Sequence, residues 1–189
     1  MEAENFHRTV ASTVDGSPSW TIVDGGTGAS GTATANAVQA PVGADINIGT
    51  HPYIGQLAQL DYNIDFTNPG IYTLWVRGIT TLSPAANYET VRIAIDGAIV
   101  EPSATNDEHL SLKLGEAGRN VWNWNNKLYG KSPITTFVVR IESTGVHTLS
   151  LVMRDSDLII DQIMLTQDAT IDPNVTPPAA ESASSVGSP

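Results

Sequence analysis

The chain has no cysteine among its 189 residues, which removes disulfide staples, thiolate nucleophiles and sulfur-based zinc sites, while leaving the compartment open. Positive charge is scarce: nine basic residues stand against twenty acidic ones, for a formal net charge of −11. The basic residues are scattered, whereas a nucleic-acid backbone or an anionic membrane needs a clustered basic surface, so both partners are disfavoured. A neutral or cationic partner is expected. No apolar run approaches the roughly 20 residues of a membrane span. The start "MEAENF" lacks a basic segment followed by an apolar one, so any export signal of the parent lies outside this piece. Helical spacing is also missing. The nearest stretch is the short "TATANAVQA". The four histidines, His7, His51, His109 and His147, form no metal-ligand spacing, and there is no G-x-S-x-G elbow.

What the sequence does have is a hydrophobic period of two. "QLDYNIDF" alternates Leu60, Tyr62, Ile64 and Phe66 with polar residues, "NPG" turns the chain, and "IYTLWVRG" returns as its hairpin partner. "ETVRIAIDG" sets Val91, Ile93 and Ile95 on one face. "TTFVVRIES" does the same with Phe137, Val139 and Ile141, and "HTLSLVMRD" with Leu149, Leu151 and Met153. "LIIDQIMLT" is the last strand. Short antiparallel strands between turn signals predict an all-β fold, a β-sandwich. A single domain is expected over residues 1–169. Residues 170–189, where periodicity gives way to Pro, Ser and Ala, read as a linker or disordered tail of a larger protein.

Four tryptophans are unevenly placed. Trp20 and Trp75 lie in strand patterns and are assigned to the core. Trp122 and Trp124 lie in "RNVWNWNNKLYG", within a long non-strand insertion. If this segment is extended they face the same way, as core anchors or as an exposed platform. Tyr53, in "GTHPYIGQ", and Tyr88, in "AANYET", are further loop aromatics, and "MRDSD" supplies Arg154, Asp155 and Asp157 just before the last strand. Loop aromatics beside planar polar groups suit a carbohydrate, whose C–H face stacks on a ring while its hydroxyls take bidentate hydrogen bonds.

Three carboxylates stand out near the termini. Glu2 and Glu4 fall two apart beside Phe6, and Asp161 falls in the alternation of Ile159, Ile163 and Leu165. Carboxylates at core-facing positions repel and desolvate one another unless a hard cation relieves them; oxygen-only ligands would point to calcium. Equally, they are exposed terminal glutamates and an aspartate bonded to backbone amides. "GGTGASG" contains Gly26, Gly28 and Gly31 in the G-x-G-x-x-G pattern, but neither a helix nor a parallel strand follows, so it reads as a turn between antiparallel strands.

Taken in order, "EAENF", "SW", "LDYNIDFTNPGIYTLWVRG", "VRIAIDG", "VWNW" and "TGVHTLSLVMRDSDLIIDQIMLT" resemble carbohydrate-binding modules of the family 6 and family 35 type. That resemblance covers residues 1–169. It implies a jelly-roll sandwich, non-catalytic, monomeric and extracellular, which binds a polysaccharide or oligosaccharide and serves a linked polysaccharide-degrading catalytic domain. It also implies a structural calcium at Glu2, Glu4 and Asp161. The implied sugar site uses Tyr53, Trp122 as the platform and the Asp155 to Asp157 segment with Arg154 close by, while Trp124 packs inward. The sequence departs from the family pattern at "RDSD" and in the length of the 101–132 region. Two rivals remain: an adhesion module of the same fold without a sugar site, and a small glycan-active enzyme.

Overall fold

The computed structural model describes residues 1–13, 18–24, 36–42, 55–80, 90–100, 111–114, 120–129, 136–156, 158–176 and 178. Among them all regular structure is β. In chain order the strands are β1 (Arg8–Val10), β2 (Thr21–Asp24), β3 (Asn36–Gln39), β4 (Gln59–Phe66), β5 (Gly70–Thr80), β6 (Thr90–Ile95) and β7 (Ala98–Ile99). They continue with β8 (Leu112–Lys113), β9 (Asn123–Asn125), β10 (Lys127–Leu128), β11 (Val138–Ile141), β12 (Gly145–Met153) and β13 (Leu158–Thr166). One sheet runs β1-β4-β12-β6-β8-β10 with β7 on β6, and the other β11-β5-β13-β3-β2 with β9 on β5. All pairings are antiparallel. The two sheets form the expected jelly-roll sandwich. The stretch nearest to helical spacing supplies β3, and the glycine-rich segment connects the antiparallel pair β2 and β3, although Gly26, Gly28 and Gly31 themselves lie outside the described residues.

The alternation read from sequence fixes the inner faces. Leu60 and Tyr62 of β4, Leu149 and Leu151 of β12, and Leu74 and Val76 of β5 share one core cluster. Trp20 joins it, its indole N–H donating to the Ala58 carbonyl at 3.2 Å. Trp75 does not. Because Leu74 and Val76 take the inner positions, Trp75 must point to the outer face of its sheet, and the expectation that it belongs to the core is corrected.

The last strand also departs from simple alternation. A register shift between Ile160 and Gln162 places a β-bulge at Asp161. One extra residue reverses every face beyond it. Ile160 and Ile163 therefore both enter the core cluster, while Ile159 packs on the outside, so the expected common face of Ile159, Ile163 and Leu165 does not exist. Gly78 sits opposite this irregularity, and a Cβ there would lie 2.9 Å from the Ile159 carbonyl oxygen. Only glycine allows so close an approach.

Candidate functional site

Several connections of the sandwich leave from one end. The backbone N–H of Ala40 donates to Leu158 O at 2.9 Å, that of Asn120 to Thr80 O at 3.1 Å, that of Met153 to Ala58 O at 2.9 Å, and that of Asp155 to Thr90 O at 3.3 Å. Leu158 is paired with Thr80. The anchors of the segments 43–54, 81–89 and 115–119, together with the β12–β13 turn, are thereby gathered at a single sandwich end. Tyr53, Tyr88 and Asp157 belong to these connections but lie outside the described residues.

At the β12–β13 turn, Asp155 is 1% exposed. Its Oδ2 accepts from the Thr90 N–H at 2.9 Å and the Thr90 hydroxyl at 2.6 Å. Arg154 Nη1 donates to Thr90 Oγ1 and lies 3.4 Å from the same carboxylate oxygen, while its guanidinium sits 5.0 Å from the centre of the Tyr129 ring. Charge-assisted bonds of this kind hold a turn in place. Asp155 is therefore a buried clamp between the turn and the start of β6. That corrects its expected role as a group turned towards sugar hydroxyls. Arg92 is buried nearby, and its guanidinium is pushed below the usual range by burial first and then by the like charge of Arg154, with Asp155 opposing.

The tryptophan segment answers differently from its expectation. Trp124 pairs with Arg77, so both share the outer face of the β5 sheet. Trp122, two residues earlier, packs beside Ile79, Ala37 and Ile159 on that same face. Both indoles do face one way, as extended spacing requires. Their exposures are 9% and 7%, so the expected division into an open Trp122 platform and an inward Trp124 is not present. Arg77 explains part of the cover: its guanidinium lies 5.2 Å from the centre of the Trp122 ring and forms an ion pair with the fully buried Asp161. Among the described residues, the buried indole N–H groups of Trp75 and Trp122 have no hydrogen-bond partner.

The fold brings the backbone of the three carboxylate residues together, but the side chains of Glu2 and Asp161 are engaged by different partners. Residues 1–3 run alongside the bulge, with Ala3 N–H donating to Asp161 O at 2.8 Å and Ile163 N–H to Met1 O at 2.9 Å. Glu2 then opens a turn closed by Asn5 N–H to Glu2 O at 3.2 Å, so Glu2 and Glu4 do not share a strand face as their spacing suggested. The Glu2 carboxylate accepts from Gln162 Nε2 at 2.8 Å, and that of Asp161 is held by Arg77. Glu4 acts on Tyr62, whose phenol is pushed well above its ordinary range by burial first, then by Glu4 and Asp61. Among the described residues, no three acidic or histidine side chains form a group able to hold a metal ion.

Arg77, Tyr129 and Gln162 were not legible as site residues. Arg77 ends an ordinary strand pattern, and its partner is 84 residues away. A groove of about 420 Å³ lies elsewhere, lined mainly by aliphatic side chains such as Ile71, Ile95, Val100 and Val139. Such walls offer a sugar few hydrogen-bond partners.

Comparison with known proteins identifies the family. Residues 1–179 match the glycosyl hydrolase family 115 C-terminal domain. Uncharacterized protein P23 of Formosa agariphila is 26% identical over 132 residues, covering 68% of this chain and 29% of that protein. The chain thus spans less than a third of that relative. Among solved structures, an exo-β-1,3-galactanase from Phanerochaete chrysosporium is similar at 16% identity over 87% of this chain and 28% of its own, with a TM-score of 0.49. A carbohydrate-binding module CBM36 in complex with calcium and xylotriose is similar at 13% identity over 88% and 98%, with a TM-score of 0.47. A family 35 module from Clostridium thermocellum is similar at 15% identity over 84% and 97%, with a TM-score of 0.43. The match over residues 1–179 decides membership: this chain belongs to the family of glycosyl hydrolase family 115 C-terminal domains.

Proposed function

We propose that this domain is a non-catalytic carbohydrate-binding module that holds a linked glycoside hydrolase on its polysaccharide outside the cell. The observation that carries the reading is family membership: residues 1–179 of this 189-residue β-sandwich chain match a hydrolase C-terminal domain. Such a module works through effective concentration, so weak binding suffices to raise the activity of the attached enzyme. The sugar contacts are assigned to the sandwich end where the connections gather, with Tyr53 and Tyr88 as stacking rings, Asp157 as a polar contact, and Arg154 and Trp122 as walls beside them. This assignment is supported by the shared anchoring of those connections at Thr80, Thr90 and Leu158.

Binding to a panel of soluble and insoluble polysaccharides tests the reading, with Tyr53→Ala and Tyr88→Ala as site variants. A stacked ring face of roughly 80 Å² at about 25 cal/mol per Å² contributes roughly 2 kcal/mol, so each loss is expected to weaken binding by about thirtyfold. Absence of binding across the panel would sink the proposal in favour of a structural module. Calcium belongs to the proposal as a separate question. A chelator that lowers the melting temperature by several degrees supports an ion near Glu2, Glu4 and Asp161; a melting curve indifferent to chelator leaves Arg77 as the cation that serves Asp161.

A further inference from the structure

Residues 167–176, beyond β13, form turns and return to the tryptophan segment. Gln167 Nε2 donates to Pro69 O at 3.0 Å, fixing the exit from β13 on the β4–β5 turn. Asp168 then closes a local turn, its Oδ1 accepting from the Thr170 N–H at 2.9 Å and the Thr170 hydroxyl at 2.7 Å. Asp172 closes a second turn, with Asn174 N–H donating to Asp172 Oδ1 at 2.9 Å and Val175 N–H to Asp172 O at 3.0 Å. Aspartate side chains that bond the backbone two residues on are a recurrent way to turn an irregular segment. Pro173, inside the second turn, is buried.

The second turn delivers Asn174 to β9. Its Oδ1 accepts from the Trp124 N–H at 3.0 Å, and its Nδ2 donates to the Trp124 carbonyl at 3.0 Å. The planar side-chain amide thus takes both groups that a further strand would have taken at the edge of β9 away from β5. An amide has the donor and acceptor of a peptide unit in the same relative placement, so it substitutes for one rung of a ladder. β9 is only three residues long and is paired on its other side with β5. A strand this short has little ladder of its own to hold it, and an unpaired edge is open to fraying or to a foreign strand.

We infer that residues 168–176 form a C-terminal clamp in which Asn174 is the positioning residue for β9, and that this clamp sets the geometry of Trp122 and Trp124. The part concerning ligand affinity rests on the proposed sugar-binding function; the part concerning strand order does not. Asn174 acts through the Trp124 backbone, so its side chain can be altered without removing an aromatic group. Residues 170–176 of this segment fall within the stretch read as linker or tail, and the contact was not legible there because Asn174 and Trp124 are 50 residues apart.

The test is hydrogen exchange by NMR on the Trp124 amide, read beside polysaccharide affinity, in Asn174→Ala and Asn174→Asp. Losing the acceptor should speed exchange of the Trp124 amide by about tenfold or more in Asn174→Ala, while amides of β4 and β12 keep their protection. Asn174→Asp retains the acceptor for the Trp124 N–H, so its exchange should stay near wild type, and with it most of the affinity that Asn174→Ala loses. A Trp124 amide indifferent to Asn174→Ala would overturn the clamp. Faster exchange with unchanged affinity would overturn its role in binding. If the wild type binds no polysaccharide, the proposed function fails together with the affinity claim, and the exchange result still decides the clamp.

Discussion

Two arginine, aspartate and aromatic groupings, one on each sheet, look alike on paper and differ in how they are closed. On the β5 sheet, Arg77 joins the fully buried Asp161 to the Trp122 ring at 5.2 Å. On the β4 sheet, Arg154 joins Asp155 to the Tyr129 ring at 5.0 Å. Asp155 has neutral helpers, the N–H and hydroxyl of Thr90, so its charge is met by several donors and the arginine is one among them. Asp161 lies at a bulge, where the ladder is locally disrupted, and Arg77 is its direct charged partner. A carboxylate met by neutral donors as well as by an arginine is cushioned against the loss of one donor; a buried ion pair makes each charged partner depend on the other.

The most severe way to break this comparison is Asp161→Ala. It leaves the Arg77 guanidinium, with only 15% of its side chain exposed, without its buried counter-charge. A loss of about 3–5 kcal/mol is expected, measured by urea unfolding. Asp155→Ala should cost less, about 1.5–3 kcal/mol, because what it removes is a charged acceptor from Thr90 and Arg154. If the two variants fall in the reverse order, the shared donors around Asp155 are not what distinguishes the corners.

The smallest effect concerns a third aspartate pairing, on the surface, and it sharpens the contrast with the two buried ones. Asp96, in the Asp-Gly hairpin turn with φ of 50° and 77° at Asp96 and Gly97, takes His147 Nδ1 at 2.6 Å, and His147 Nε2 lies 3.0 Å from Ser143 O. Both ring nitrogens meet oxygen acceptors, so the protonated ring is favoured. The hydrogen bond to Asp96 raises the His147 pKa, and the same bond is the first cause lowering that of Asp96. His147 therefore contributes stability fully below its ordinary value of 6.5, lost as pH rises through the raised value. The Asp96 share is present above its ordinary 3.8 and lost as pH falls through the lowered one. The melting temperature of wild type relative to His147→Asn should be highest between roughly pH 4 and 6.5 and should decline above it. A difference that does not change with pH would remove His147 from the account.

The strands were readable because burial of one face imposes a period of two on residues adjacent in sequence. "QLDYNIDF" coincides with β4, and Leu149, Leu151 and Met153 face the core as their spacing required. The candidate site was legible in its polar and aromatic residues but not in their partners. Trp122 and Trp124 share a face, as spacing alone dictates, yet nothing in "NVWNWNN" announces the Arg77 that covers one or the Asn174 that holds the other. Asp155 carries the composition of a sugar contact and is instead closed by Thr90, 65 residues away.

What the sequence by itself determined, then, is whatever depends on neighbours along the chain: the all-β character, most of the inner faces, and the exclusion of thiol chemistry. Only the tertiary structure decided which face Ile159 and Ile163 occupy, because a single inserted residue at Asp161 reverses a strand without changing its composition. It also decided that Asp161 meets Arg77 and that Asn174 meets Trp124. Such pairings form wherever folding brings a buried charge or an open strand edge within hydrogen-bond reach of a partner, and sequence distance places no limit on that.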